Sequence, residues 1–270
     1  MSEGCTNCGN KGGCDHRKTA MFAAIDRSLE VLYPTRHFDE RADDLAGSLD
    51  ADGQPTDRAD DDTWLNEGEG HAPVALRLAE EAARRLKTLA VVVPPQADEY
   101  CRHVYLLCLG RTPSLIEARE GLACPDRQEH FDEGIEEHYL RVSISELAPF
   151  AAVQQVRLRA TPLDDGWLLE EAPRTGVFDP VMLPRFRTLV SVITELGLRN
   201  LDFGDISAPP PGYDSGDYAA RFGGTPAIAN YLFYPQPCSS ITTTAVRSSP
   251  SSLDGGAPLA VAFGKEPVVI

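Results

Sequence analysis

Several things are scarce in this 270-residue chain, and each scarcity closes off a class of function. It has no run of about 18 apolar residues, so no membrane span is expected. Its first residues are polar and lack the apolar stretch of a secretory signal, which points to a cytoplasmic protein. Positive charge is in short supply: 25 Lys and Arg stand against 41 Asp and Glu, a formal net charge of −16. Such a surface repels nucleic acid, so no nucleic-acid partner is expected. Familiar catalytic signatures are missing too. There is no phosphate-cradling P-loop, no G-x-G-x-x-G after a strand, no G-x-S-x-G elbow and no H-E-x-x-H pair. The sequence therefore names no reaction, and it carries no evident internal repeat.

What the chain does have is a concentration of thiols at one end. Its seven cysteines are Cys5, Cys8, Cys14, Cys101, Cys108, Cys124 and Cys238. The count is odd and the chain is long enough to fold without staples, so they read as reduced thiols or metal ligands. Cys5, Cys8 and Cys14 form the pattern C-x2-C-x5-C-x-H with His16. A C-x2-C pair can set two thiolates on one soft metal, and the third cysteine is near enough to close a local site. Zinc would take Cys5, Cys8, Cys14 and His16 as a tetrahedral structural site. An iron–sulfur cluster would take the three cysteines and a fourth ligand: Cys238, Cys124 or a residue of another protein. Gly9, Gly12 and Gly13 favour the cluster, because glycine lets backbone N–H groups approach the sulfurs closely. The spacing matches neither the bacterial C-x2-C-x2-C nor the plant C-x4-C-x2-C ferredoxin run. Lys11, Arg17 and Lys18 lie beside the thiols, where they form an exposed basic patch or offset an anionic cluster.

Patterning divides the chain into four regions. Residues 1–34 are the cysteine arm followed by a helix over 15–33, with Phe22, Ile25, Leu29 and Leu32 at helical spacing. Residues 35–71 are an acidic linker in which nine Asp and three Glu stand against two Arg between Phe38 and His71. Most of the negative excess is therefore local. A run at 48–53 resembles a calcium loop, but Ser48 and Ala59 stand where the first and last carboxylate ligands belong.

Residues 72–203 should form an α+β core. The helix over 73–87 has Val74, Leu78, Ala82 and Leu86 on one stripe and Glu80–Arg84 and Glu81–Arg85 pairs on its wet side. Strands are expected at 89–93, 102–109, 114–119, 138–144, 153–160 and 166–171. The turns between them predict an antiparallel sheet of about five strands. A second core helix over 179–196 buries Phe186, Leu189, Val190, Ile193 and Leu196 and stops at Gly197, with Pro184 as an alternative start. A short strand follows near 198–203. Residues 204–270 are rich in Pro and Gly yet carry Tyr213, Tyr218, Phe222, Tyr231, Phe233 and Tyr234. That predicts an extended segment laid over the body, best ordered over 227–234, and then a loosely held tail from 239.

Other groups read as structural. Cys101 and Cys108 are seven apart on a strand, hence on opposite faces, and serve as small buried residues. His130, Asp132, Glu133, Glu136, Glu137 and His138 make a solvated acidic face, while His71 and His103 are surface or capping residues. Asp202, Asp205, Asp214 and Asp217 surround a Pro-Gly loop, where Asp is an ordinary turn former. The leading expectation is a metal-binding accessory, electron-transfer or assembly subunit of a larger redox enzyme, with zinc or an iron–sulfur cluster in the arm. Trp64 and the aromatic C-terminal segment would supply surface for a protein partner. Two alternatives stand beside it: an enzyme with a pocket between the core sheet and the 204–238 segment, and a metal-free interaction protein with redox-labile thiols.

Overall fold

The computed structural model describes residues 16–33, 36, 72–95, 99–110, 114–120, 135–163, 166–174, 179–215, 218–219, 224–234, 242–247 and 268–269. Helix α1 (His16–Leu32) is followed by α2 (Ala72–Leu86), β1 (Ala90–Val93), β2 (Cys101–Leu109), α3 (Leu115–Arg119), β3 (Glu136–Ser145), β4 (Phe150–Leu163) and β5 (Gly166–Arg174). Then come α4 (Leu183–Glu195), β6 (Arg199–Leu201), α5 (Phe203–Ile206), α6 (Ile228–Leu232), β7 (Thr242–Arg247) and β8 (Val268–Val269). This is an α+β architecture.

One mixed sheet organises it, in the order β7-β5-β4-β3-β2-β1-β8, with β6 beside β4. Adjacent strands along this path are antiparallel. The exception is β6, which runs parallel to the start of β4, with Phe150 opposite Arg199 and Ala152 opposite Leu201. The expectation of a purely antiparallel sheet is corrected here. The α4 helix provides the crossover that a parallel strand requires. β4 is long enough to divide one edge: residues 150–152 pair with β6 and 155–163 with β5. The tail from 239 is corrected as well, because β7 and β8 from it extend opposite edges of the sheet.

Strand periodicity gives the sheet two buried faces. On the first, Val104, Leu106, Leu140, Val142, Ile144, Ala151 and Val153 pack against Ala75, Leu78, Ala79 and Ala82 of α2 and Leu189, Val192 and Ile193 of α4. The solvent side of α2 differs in detail from the expected pairing: Arg84 and Arg85 both turn to Glu81, and Arg85 also reaches Glu195 of α4. α4 begins at Leu183 with proline in its first turn, near the alternative start. It ends in a Schellman motif: Gly197, at φ 82°, donates to Thr194 and Leu198 donates to Ile193.

The second face is covered at one end by α1, α5 and α6. Ala24, Ile25, Leu29, Leu32 and Tyr33 pack there with Tyr218, Tyr231, Leu232 and Phe233. The Tyr33 hydroxyl donates to the Tyr231 carbonyl at 2.8 Å, and the two rings meet edge to face at 4.9 Å. Tyr218, Tyr231, Phe233 and Tyr234 are thus core residues, Tyr213 packs half-buried against them and Phe222 lies outside the described residues. This segment is tied to the sheet where Tyr100 N–H donates to Phe233 and Ser145 Oγ to the Leu232 carbonyl.

At the other end lies α3, read from sequence as a strand over 114–119. The structure corrects that reading to a helix. Ser114 and Glu117 form a capping box, Ser114 Oγ accepting from Glu117 N–H while Ser114 N–H donates to the Glu117 carboxylate at 2.6 Å. Leu115 and Ile116 face Tyr105, Tyr139 and Val156, so tertiary burial favours the single turn.

Candidate metal centre

The second face of the sheet carries a connected group of polar side chains, whereas the first has Arg102 and Gln155 as its buried polar residues on β2 and β4. On β2 the two-residue period turns Cys101, His103 and Tyr105 toward this face. Cys101 and His103 are both buried, and Cys101 belongs to the core beneath α1. Glu99 lies just before the strand. Its Oε2 is 3.3 Å from His103 Nε2, and Cys101 Sγ is 3.7 Å from the same nitrogen. One ligand atom from each of the three residues falls within 4.8 Å of the others.

The opposite edge of the imidazole is held by different chemistry. His103 Nδ1 is 3.2 Å from Ser143 Oγ, on the paired position of β3. Ser143 Oγ is in turn 2.5 Å from the Tyr234 hydroxyl. The Tyr234 ring stacks on His103, with centroids 5.8 Å apart and planes inclined by 20°. When Ser143 Oγ accepts a hydrogen bond from Nδ1–H, the Nε2 lone pair faces Cys101 and Glu99. That is the arrangement of a metal-ligating histidine, whose second nitrogen is fixed by an outer hydrogen bond. A thiolate, an imidazole and a carboxylate together suit zinc. Tetrahedral zinc at its usual bond lengths sets a sulfur and a nitrogen ligand about 3.6 Å apart, and a nitrogen and an oxygen about 3.3 Å apart. The observed 3.7 and 3.3 Å are close to both.

Further along the same face lies a buried charge network. Glu171 of β5 accepts from Arg141 Nη1 at 2.5 Å and from Arg119 Nη1, and the Tyr105 hydroxyl lies 3.1 Å from each of its oxygens. Burial pushes the Glu171 carboxyl up, but the guanidiniums of Arg141 and Arg119 outweigh it and hold its pKa below the ordinary value. Burial raises the Tyr105 phenol, which stays protonated and donates. Arg141 Nη2 donates to Gln154 Oε1 of β4, and its guanidinium lies 5.9 Å from the Tyr234 ring centroid. Tyr234 therefore touches both the imidazole at one end and the guanidinium at the other.

Glu137, expected on a solvated face, is buried. Its carboxylate accepts from Leu115 N–H at 2.7 Å and from the Tyr139 hydroxyl, anchoring the start of α3. An alanine Cβ at Gly110 would fall 2.7 Å from Leu107 Cδ1 and 2.8 Å from the Glu137 carboxyl carbon, so one of these side chains would have to shift to admit it. Glu136 and His138 do form a partly exposed pair at 3.1 Å.

The sequence-derived candidates fare unevenly. Cys5, Cys8, Gly9, Lys11, Gly12, Gly13, Cys14, Cys124 and Cys238 lie outside the described residues, as do Trp64, His71, His130, Asp132, Glu133 and Asp217. His16 opens α1, so the cysteine arm leads directly into that helix as expected; the side chains of His16, Arg17 and Lys18 are outside the described set. Cys101 and Cys108 point to opposite faces, as their spacing predicts, with Cys108 beside the α2 and α4 core. Asp202 accepts from Gly204 N–H at 2.8 Å in a local turn, and Asp202 and Asp214 are exposed; no catalytic grouping of them forms among the described residues. His103 is corrected from a surface residue to the centre of the buried group. The clue was available in the alternation Cys101, His103, Tyr105 on a strand whose other residues are mostly apolar. The contribution of Ser143 and Tyr234 was not, because they are 40 and 131 residues away in the chain. Comparisons with protein families, with curated proteins and with solved structures find no match to this chain.

Proposed function

We propose that this protein binds metal at Glu99, Cys101 and His103 and acts as an accessory or assembly subunit of a larger redox enzyme. One observation carries the metal reading: a thiol and a carboxylate both face the same imidazole nitrogen, at distances that suit tetrahedral zinc. The arm residues Cys5, Cys8, Cys14 and His16 provide a second site in this reading, for zinc or an iron–sulfur cluster, with Gly9, Gly12 and Gly13 close to the sulfurs and Cys238 as a further ligand. The function is cytoplasmic, with a protein partner and no nucleic acid. No described helix is long and apolar enough to cross a membrane.

A second reading is favoured by Tyr234. It comes from the segment after 204 and completes the surroundings of His103, so the metal lies where the sheet and that segment meet. In an enzyme, this junction would be the reaction site and the arm would be structural.

Cobalt reports on both metal sites. The full chain, freed of metal and titrated with Co(II), should develop a thiolate charge-transfer band. In a variant carrying Cys5→Ser, Cys8→Ser and Cys14→Ser, a band from one cobalt per chain should remain, and adding Cys101→Ser should abolish it. Persistence of that band after Cys101→Ser, or its absence from the arm variant, sinks the buried centre. Iron with labile sulfide in anaerobically purified protein assigns a cluster to the arm, and zinc without colour assigns a structural site.

A further inference from the structure

Two guanidiniums compete for one buried carboxylate on the second face. The side chains of Arg119, Arg141 and Glu171 are 10%, 12% and 7% exposed. Arg119 has another anion to hand, since its Nε donates to Glu120 at 2.7 Å. For Arg141 the described residues show no second anion: beyond Glu171 its guanidinium meets the Gln154 amide, the Tyr105 hydroxyl and the Tyr234 ring. Its Nε is buried with no hydrogen-bond partner among the described residues. A buried charge that is only half compensated, with an unused donor, is costly to the fold. Such a cost is relieved when an anion arrives, and arginine is the side chain best suited to hold an oxyanion.

We propose that Arg141 is the recognition group of an oxyanion site, binding a carboxylate or phosphate group of a small ligand through Nε. The site differs from the metal centre. His103 Nε2 faces Cys101 and Glu99, whereas Arg141 lies on β3 opposite Tyr105. Tyr234 lies between the two: it stacks on His103, contacts Ser143 and lies near the Arg141 guanidinium. The inference does not depend on metal, so it is tested on metal-free protein.

The full chain, treated with chelator, is titrated with inorganic phosphate and separately with acetate, at constant ionic strength with chloride as the control. One of the two should bind saturably and raise the melting temperature. Saturation by acetate alone marks a carboxylate site, and by phosphate alone a phosphate site. Arg141→Gln should weaken binding by roughly tenfold or more, the loss of a charge-assisted hydrogen bond. Arg141→Lys should retain part of it. Wild-type protein provides a second readout that does not rely on a folded variant: the Arg141 Nε–H resonance in a ¹H–¹⁵N spectrum should shift along the same saturation curve. If neither anion stabilises beyond chloride, or if that resonance stays fixed while an anion binds, the oxyanion site does not exist. Unchanged binding in folded Arg141→Gln overturns it equally.

Discussion

The two faces of the sheet are made by alternate residues of the same strands, yet they are built differently. On the face under α2 and α4, neighbouring positions of β2, β3 and β4 are Val104, Leu106, Val142, Ile144 and Val153. On the other, the intervening positions are His103, Tyr105, Arg141, Ser143 and Gln154. Both sets are buried or nearly so. Apolar burial needs only volume and stabilises without regard to direction. Polar burial needs a partner for each donor and acceptor, and each partner fixes an orientation. The first face therefore stabilises the molecule. The second costs stability wherever its network is incomplete, and it fixes the orientation of each side chain it engages.

The largest effect should come from breaking the polar face without refilling it. Glu171→Ala leaves two buried guanidiniums sharing no carboxylate and should destabilise by about 3–5 kcal/mol in urea unfolding. A loss no larger than that of a surface substitution would mean that solvent already screens the network. The same carboxylate predicts an acid limb. Its pKa in the folded protein lies below the unfolded value of 4.5, so its contribution is complete above that pH. It is lost as pH falls toward the folded value. Glu171→Gln should flatten this limb of the stability profile relative to wild type.

The apolar face should respond to size alone. Leu189 of α4 is fully buried, and Leu189→Ala should cost about 2–5 kcal/mol through lost burial and the cavity left behind. Cobalt uptake by the folded variant should be unchanged. A parallel loss of metal affinity would show that the two faces are coupled through the strands and would break the comparison.

The smallest effect should fall on neither face. Lys87 ends α2 at φ 50°, a left-handed conformation that costs a side-chain-bearing residue, and Thr88 N–H donates to the Ala83 carbonyl across it. Lys87→Gly should stabilise by about 1 kcal/mol, with metal and anion binding untouched. Thermal melts at matched concentration measure it, and an unchanged midpoint would show that the bend is not strained.

Much of the apolar packing on both faces was legible in the chain because it depends on periodicity. The stripe of α1, the alternation of Val156 and Leu158 with Arg157 and Arg159, and the stop of α4 at Gly197 are local patterns with local causes. The S-x-x-E box at Ser114–Glu117 was equally local, and it outranks the strand-like apolar residues around it. What could not be read was which polar residues meet. Glu137 looks solvated in a run of acidic residues, yet it anchors α3 across 22 positions.

By itself, then, the sequence determined an α+β protein with helices over 15–33, 73–87 and 179–196, a sheet, an aromatic segment laid over the body, and a thiol-rich arm leading into the first helix. Composition and short-range spacing are sufficient for those features, because helix and strand periods are properties of neighbouring residues. Only the tertiary structure decided that β6 runs parallel, that tail strands extend both edges of the sheet, and that Glu99, Cys101 and His103 meet Ser143 and Tyr234. Those outcomes depend on strand register and on segments brought together from distant parts of the chain. A one-residue slip in register would turn His103 or Ser143 to the apolar face and dissolve the group, and no local pattern encodes that pairing.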